Sequence, residues 1–125
     1  MLDPLLEGDA MKGRLGTVRI SRQVLVTIAR LTTLSVPGVV RMFRTLPSGV
    51  DRLLKGRGAG DGVLVEVVDG AVLVDLHVVA ARKISICELG REIQAHVSRA
   101  ITDMVGMPVL AVNVRVEDVE SVPGG

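Results

Sequence analysis

Few side chains in this sequence are equipped for chemistry, and those few are dispersed. Cys87 is the only cysteine, and His77 and His96 are the only histidines among 125 residues. A single cysteine excludes an internal disulfide and a thiolate zinc cluster. Cys87 stands just inside a predicted helix start, a position at which thiols can become reactive. No histidine or resolving cysteine is placed beside it in the sequence, so it reads as a small structural hydrophobe. Asp75 and His77 stand two apart on one strand face, with Arg115 and Glu117 spaced the same way on another strand. An acid beside a histidine can orient a general base. No serine or cysteine is placed as the nucleophile, however, and alternating charges on a partly exposed sheet face form ordinary cross-strand pairs or contact a partner. Glu92 and His96 have the spacing found in zinc helices, but those need a histidine pair and a third ligand. An exposed Glu–His helix pair accounts for them. The glycine-rich GRGAGDG, from Gly56 to Gly62, follows Lys55 and suggests a phosphate loop. Such loops lead into a helix N-terminus and carry G-x-x-x-x-G-K or G-x-G-x-x-G. This one leads into a strand and satisfies neither pattern, so it reads as a mobile loop. No catalytic, cofactor-binding or metal-ligating residue is assigned, and the chain is expected not to be an enzyme.

Composition points the same way. Nearly half of the residues are hydrophobic, yet Phe43 is the only aromatic. The core must be made of Val, Leu, Ile and Met, and no aromatic platform is available for bases, sugars or flavins. The formal net charge is +1 with acids and bases interspersed, which gives no strong field for nucleic acid or an anionic membrane. The first residues carry Asp3, Glu7 and Asp9 where a signal peptide needs a basic and then an apolar stretch. No apolar run approaches the roughly 18–20 residues of a membrane span. The sequence therefore reads as cytoplasmic, without direct membrane insertion.

The elements that must position these side chains follow from periodicity. Residues 1–13 are expected to be a flexible arm, 14–119 a single α+β domain, and 120–125 a flexible tail. Leu15 to Ile20 alternates as a short half-buried strand. Ser21 then caps a helix with Val24, Ile28 and Leu31 as its inner stripe, which stops at Val36-Pro37-Gly38. Residues 39–62 are the least legible: VVRMFRTL and GVDRLL each suit a short helical piece, separated by Pro47-Ser48-Gly49. The clearest segment is a hairpin around Asp69-Gly70, because a type I′ turn needs positive φ at both central residues. A two-residue turn places Val67 opposite Val72, Val65 opposite Val74 and Val63 opposite Leu76, all on one face. Ser85 and Glu88 form a capping box for a second helix with the stripe Ile86, Leu89, Ile93, Val97, Ala100, Ile101 and Met104. Gly106 and Pro108 stop it. A last strand places Leu110, Val112, Val114 and Val116 on one face. The expected fold is a two-layer α/β sandwich in β-α-β-β-α-β order, a four-stranded mixed sheet with two long helices on one face. Its open face would carry Arg19, Glu66, Asp75, His77, Asn113 and Arg115, which form the candidate partner surface.

Taken together, GTVRISRQVLVTIARLTTLSVPGV, the hairpin GVLVEVVDGAVLVDLHVVA and the C-terminal ELGREIQAHVSRAITDMVGMPVLAVNVRVEDV resemble the alkaline shock protein family. Its members are bacterial envelope stress response proteins. The resemblance covers about residues 15–119 and rests on the order and spacing of Val36-Pro37-Gly38-Val39, Gln94-x-x-Val97, Met104-x-Gly106-Met107 and Val112-Asn113-Val114. This chain departs from the family at Ala80-Ala81-Arg82-Lys83 and Ile84-Ser85, where a Tyr-Gly pair and an Ile-Pro are frequent. The resemblance implies a non-enzymatic scaffold linked to envelope stress or homeostasis, held near the membrane by an anchoring protein or associating with copies of itself. It also implies an alternative, an accessory protein of a fatty-acid kinase-type enzyme of lipid metabolism. An RNA-binding module is a further alternative for a small βαββαβ sheet, disfavoured by the missing aromatics, the absent GXXG clamp and the near-neutral charge. No nucleic acid, cofactor or small-molecule substrate is expected.

Overall fold

The computed structural model describes residues 15–44 and 59–122. The first helix, α1, spans Arg22–Ser35 and begins where expected, the Ser21 hydroxyl accepting the Val24 N–H. Strand β1 is Val39–Met42, β2 is Ala59–Gly60, β3 is Val63–Val68 and β4 is Ala71–Ala81. Helix α2 spans Ile86–Val105, capped by the Ser85 hydroxyl on the Glu88 N–H and closed by left-handed Gly106. Strand β5, Val109–Glu120, ends the domain.

The hairpin forms in the expected register, with Val67 facing Val72, Val65 facing Val74 and Val63 facing Leu76. Asp69 and Gly70 have φ of 50° and 78°, the paired positive values of a type I′ turn. Strand β4 is the centre of the sheet. On one side β5 runs parallel along nearly its whole length, from Val72↔Val109 to Ala81↔Glu120, and α2 supplies the crossover. A strand has two edges, so β3 and β1 must share the other. β3 takes Ala71–Leu76 and β1 takes Val78–Ala80, both antiparallel. The join falls at His77, whose N–H donates to the Gly62 carbonyl and whose carbonyl accepts the Phe43 N–H, each at 2.8 Å.

Both helices cover one sheet face, giving the α+β two-layer sandwich that the pattern predicts. Val65, Val74, Leu76 and Val78 from the sheet interleave with Leu25 and Ala29 of α1 and with Ile93, Val97 and Ile101 of α2, nearly all with no solvent exposure. Full burial of each large side chain contributes roughly 1.5–3 kcal/mol. The one buried polar residue among those described, Thr33, donates its hydroxyl to the Ala29 carbonyl at 2.7 Å, which removes the penalty of an unpaired group.

Six expectations are corrected. Residues 16–20 form no strand, and Leu15 and Val18 are 79% and 82% exposed. The place beside β4 is filled by β1, so VVRMFRTL begins as a strand and not as a helical piece. A short alternating run is compatible with a strand, but only a free edge can make it one. The loop reading of GRGAGDG fails at its end, because Ala59 and Gly60 pair with Leu64 and Val63. The inner stripe of α1 is Leu25, Val26, Ile28, Ala29 and Thr33, while Val24 and Leu31 lie outside. Finally, a bulge between Val109 and Ala111 turns Leu110 outward, 59% exposed, and brings Val109 against the core. The ends of the α2 stripe, Ile86 and Met104, are likewise exposed. The arm at 1–13, Pro47-Ser48-Gly49 and GVDRLL lie outside the described residues.

Candidate functional site

The helices leave the second sheet face uncovered by any described element. Odd-numbered positions of β4, and of β5 from Ala111 to Glu117, point to it because successive strand residues alternate faces; a second register shift after Val116 brings Asp118 and Glu120 to the same side. The register places Leu73 beside Ala111, Asp75 beside Asn113 and His77 beside Arg115. Side-chain contacts run along this face. Asn113 Nδ2 donates to Asp75 Oδ1 at 2.8 Å. His77 Nδ1 lies 3.2 Å from Glu117 Oε1, and the same carboxylate oxygen is 3.8 Å from Arg115 Nε. Glu117 thus stands between His77 on the neighbouring strand and Arg115 two residues earlier on its own strand.

At the far end, Arg41 of β1 and Glu120 of β5 form an ion pair at 2.7 Å. These strands flank β4 on opposite sides, so the pair crosses β4, and it does so on the open face because the helices occupy the other. Val79, an odd position paired with both Arg41 and Asp118, is fully buried although it lies outside the main core. The hydrogen bond with Glu120 holds the Arg41 guanidinium above its ordinary pKa, opposed by desolvation and aided by the charges of Glu120 and Asp118. Both partners are substantially exposed, so solvent screening leaves the pair little weight in stability. Its role is to order the surface.

Between these groups lies a shallow hollow of about 360 Å³, lined by Leu64, Asp75, His77, Asn113 and Arg115. Of the six residues expected on the partner face, Glu66, Asp75, His77, Asn113 and Arg115 are on it. Arg19 is not; it precedes α1 in a segment that pairs with no described strand. Sequence reasoning misses Arg41 and Glu120, because it takes residues 39–46 as a helical piece and puts Glu120 in the C-terminal tail, whereas both lie in strands.

The arrangement has little capacity for catalysis of the usual kinds. Glu117 could orient His77, but among the described residues no hydroxyl or thiol is hydrogen-bonded to the imidazole. Cys87 is exposed on α2, which sits on the opposite side of the sheet. No three His, Cys, Asp or Glu residues among those described converge as metal ligands. No helix of the described residues is long and apolar enough to cross a membrane.

The fold and this face define an α+β sandwich with one open, hydrogen-bonded polar sheet surface. The chain belongs to the Asp-23 family, whose description is cell envelope-related function; the match spans residues 10–121. This bears out the resemblance to alkaline shock proteins drawn from the motifs above. The chain is similar to the uncharacterized protein YqhY of Bacillus subtilis, 24% identical over 116 residues that cover 93% of this chain and 86% of that protein. It is also similar to the uncharacterized protein Spy1535 of Streptococcus pyogenes, 28% identical over 106 residues, 84% of this chain and 80% of that one. Among solved structures, a variant of the MamM CTD matches with a TM-score of 0.50 and 14% identity, covering 80% of this chain and all of the other. That likeness concerns the fold alone.

Proposed function

We propose that this chain is a non-enzymatic protein-interaction domain of the bacterial cell envelope stress response or homeostasis, engaging its partner through the open sheet face. The observation that carries the reading is the character of that face. Asp75–Asn113, His77–Glu117 and Arg41–Glu120 are already paired across it, so covering it leaves those groups satisfied, while Glu66 and the loosely held Arg115 offer charge to a partner. Leu64 and Leu73 remain half-buried there, beside the hollow or its neighbouring rung. Apolar positions ringed by satisfied polar groups are the make-up of a non-obligate protein interface. A second observation favours association in general: Val24, Leu31 and Leu34 are exposed on the outer side of α1, away from the core. The partner is a protein, either one that anchors the chain at the inner face of the cell membrane or a second copy of the chain. Family membership supplies the envelope setting.

The test is co-purification of the tagged chain from its own bacterium, with the wild type compared with Leu64→Glu/Leu73→Glu. Both side chains lie on the open face, so the variant should keep its circular dichroism spectrum and lose the specific partner. Equal recovery of the same partner by both proteins would falsify the open face as the docking surface.

A further inference from the structure

We propose that the outer edge of β5 and the flank of α2 above it bind an extended acidic peptide as an added strand. This goes beyond the reading above and uses a different surface. β5 pairs with β4 alone, so among the described residues the opposite edge of this twelve-residue strand carries no ladder. Gln94 shows what that edge seeks: its Nε2 donates to the Val112 carbonyl at 3.0 Å. Alternation along the ladder aims the backbone N–H and C=O groups of Val114 and Val116 the same way.

Space for a strand is present on both sides of that contact. A groove of about 500 Å³ lies between the first turns of α2 and residues Val114–Val116. A second hollow of about 330 Å³ continues it past Ser98 and Val109–Asn113, with Gln94 bordering both. The helix wall above is low because it carries Cys87, Gly90 and Ser98, and a Cβ added at Gly90 would meet nothing within 4 Å. A helix beside a free strand edge is a layout suited to strand addition, with backbone hydrogen bonds for affinity and flanking side chains for specificity.

Charge selects the occupant. Neither hollow is lined by a carboxylate, whereas Arg91 and Arg115 both border the larger one. Arg91 forms no ion pair among the described residues, and Arg115 has only the 3.8 Å contact with Glu117. Arg91 on the helix side of the edge, with Arg115 bordering the same groove, fits an extended segment that turns carboxylates on alternate positions toward the helix.

The proposal is tested by fluorescence anisotropy with the full chain and a labelled decapeptide alternating valine with glutamate, against its valine–lysine counterpart. The glutamate peptide should bind at least about tenfold more tightly, and high salt should weaken it. Arg91→Glu should reduce affinity by about tenfold or more. Gly90→Leu should do the same by filling the groove, with helix content and melting temperature preserved, because the new side chain enters open space. The open-face variant Leu64→Glu/Leu73→Glu should leave peptide binding intact, which separates failure here from failure of the reading above. Equal affinity for both peptides, or insensitivity to Arg91→Glu and Gly90→Leu, overturns the proposal. An edge-mediated dimer in sedimentation, abolished by Val114→Pro and unaccompanied by peptide binding, assigns the edge to a second copy and overturns it too.

Discussion

Gly62 decides more of this fold than any titratable residue does. It sits where β1 ends and β3 begins along the same edge of β4, with φ of +70°. A Cβ there would lie 2.7 Å from the carbonyl oxygens of both His77 and Phe43, atoms held by the ladder and unable to move cheaply. Gly62→Ala should therefore destabilise the protein by about 2 kcal/mol or more, from left-handed strain plus displaced backbone. Chemical denaturation measures this directly. A melt indistinguishable from wild type would show that the join is softer than its hydrogen bonds suggest. His77, at the same point, has its backbone fixed by the join and its side chain turned to the open face beside Glu117. Its position owes more to the ladder than to its imidazole.

At the scale of the element, α2 serves two surfaces at once. Its inner stripe of Leu89, Ile93, Val97 and Ile101 is buried in the core, whereas Cys87, Gly90, Arg91 and Gln94 form the wall above the β5 edge. These roles separate under mutation. Ile93→Ala removes a fully buried side chain and should cost about 2–5 kcal/mol through lost burial and the cavity left behind. The loss should register as a lower denaturation midpoint with unchanged slope; a loss under about 1 kcal/mol would mean that the helix can settle into the space. Helix α1 is phased less distinctly. Apolar residues lie on most of its sides, and contact with α2 and the sheet chooses Leu25, Val26 and Ala29 over Val24 and Leu31.

Across the whole molecule, one continuous core joins both helices to the three long strands. The parallel β4–β5 pairing makes the C-terminal strand inseparable from the hairpin, although α2 intervenes in sequence. Denaturant unfolding should consequently follow a single transition that coincides when monitored by far-ultraviolet circular dichroism and by hydrogen exchange of the β3 and β5 amides. Separate midpoints for the two strands would contradict a shared core. Among the described elements, the same architecture leaves one sheet face and the outer β5 edge uncovered, and the two proposed surfaces meet at Arg115, which borders both.

The sequence by itself determined the parts governed by neighbours along the chain. Asp69-Gly70 and the flanking valine parity specified the hairpin and its register, since turn geometry and the two-residue period leave one pairing that buries the apolar face. Ser21, Ser85 and Gly106 marked helix ends because a free backbone N–H or C=O must be satisfied locally. Motif order identified the family. Parity also located five of the six candidate face residues. Tertiary structure decided what depends on competition for a place. Leu15–Ile20 and Val39–Met42 are both plausible strands, and only the remaining length of the β4 edge, next to Gly62, selects the second. The phase of α1, the bulge that expels Leu110 and the Arg41–Glu120 pair across β4 follow from the same cause. Each joins residues distant in sequence, and their energies exist only once the sheet is assembled.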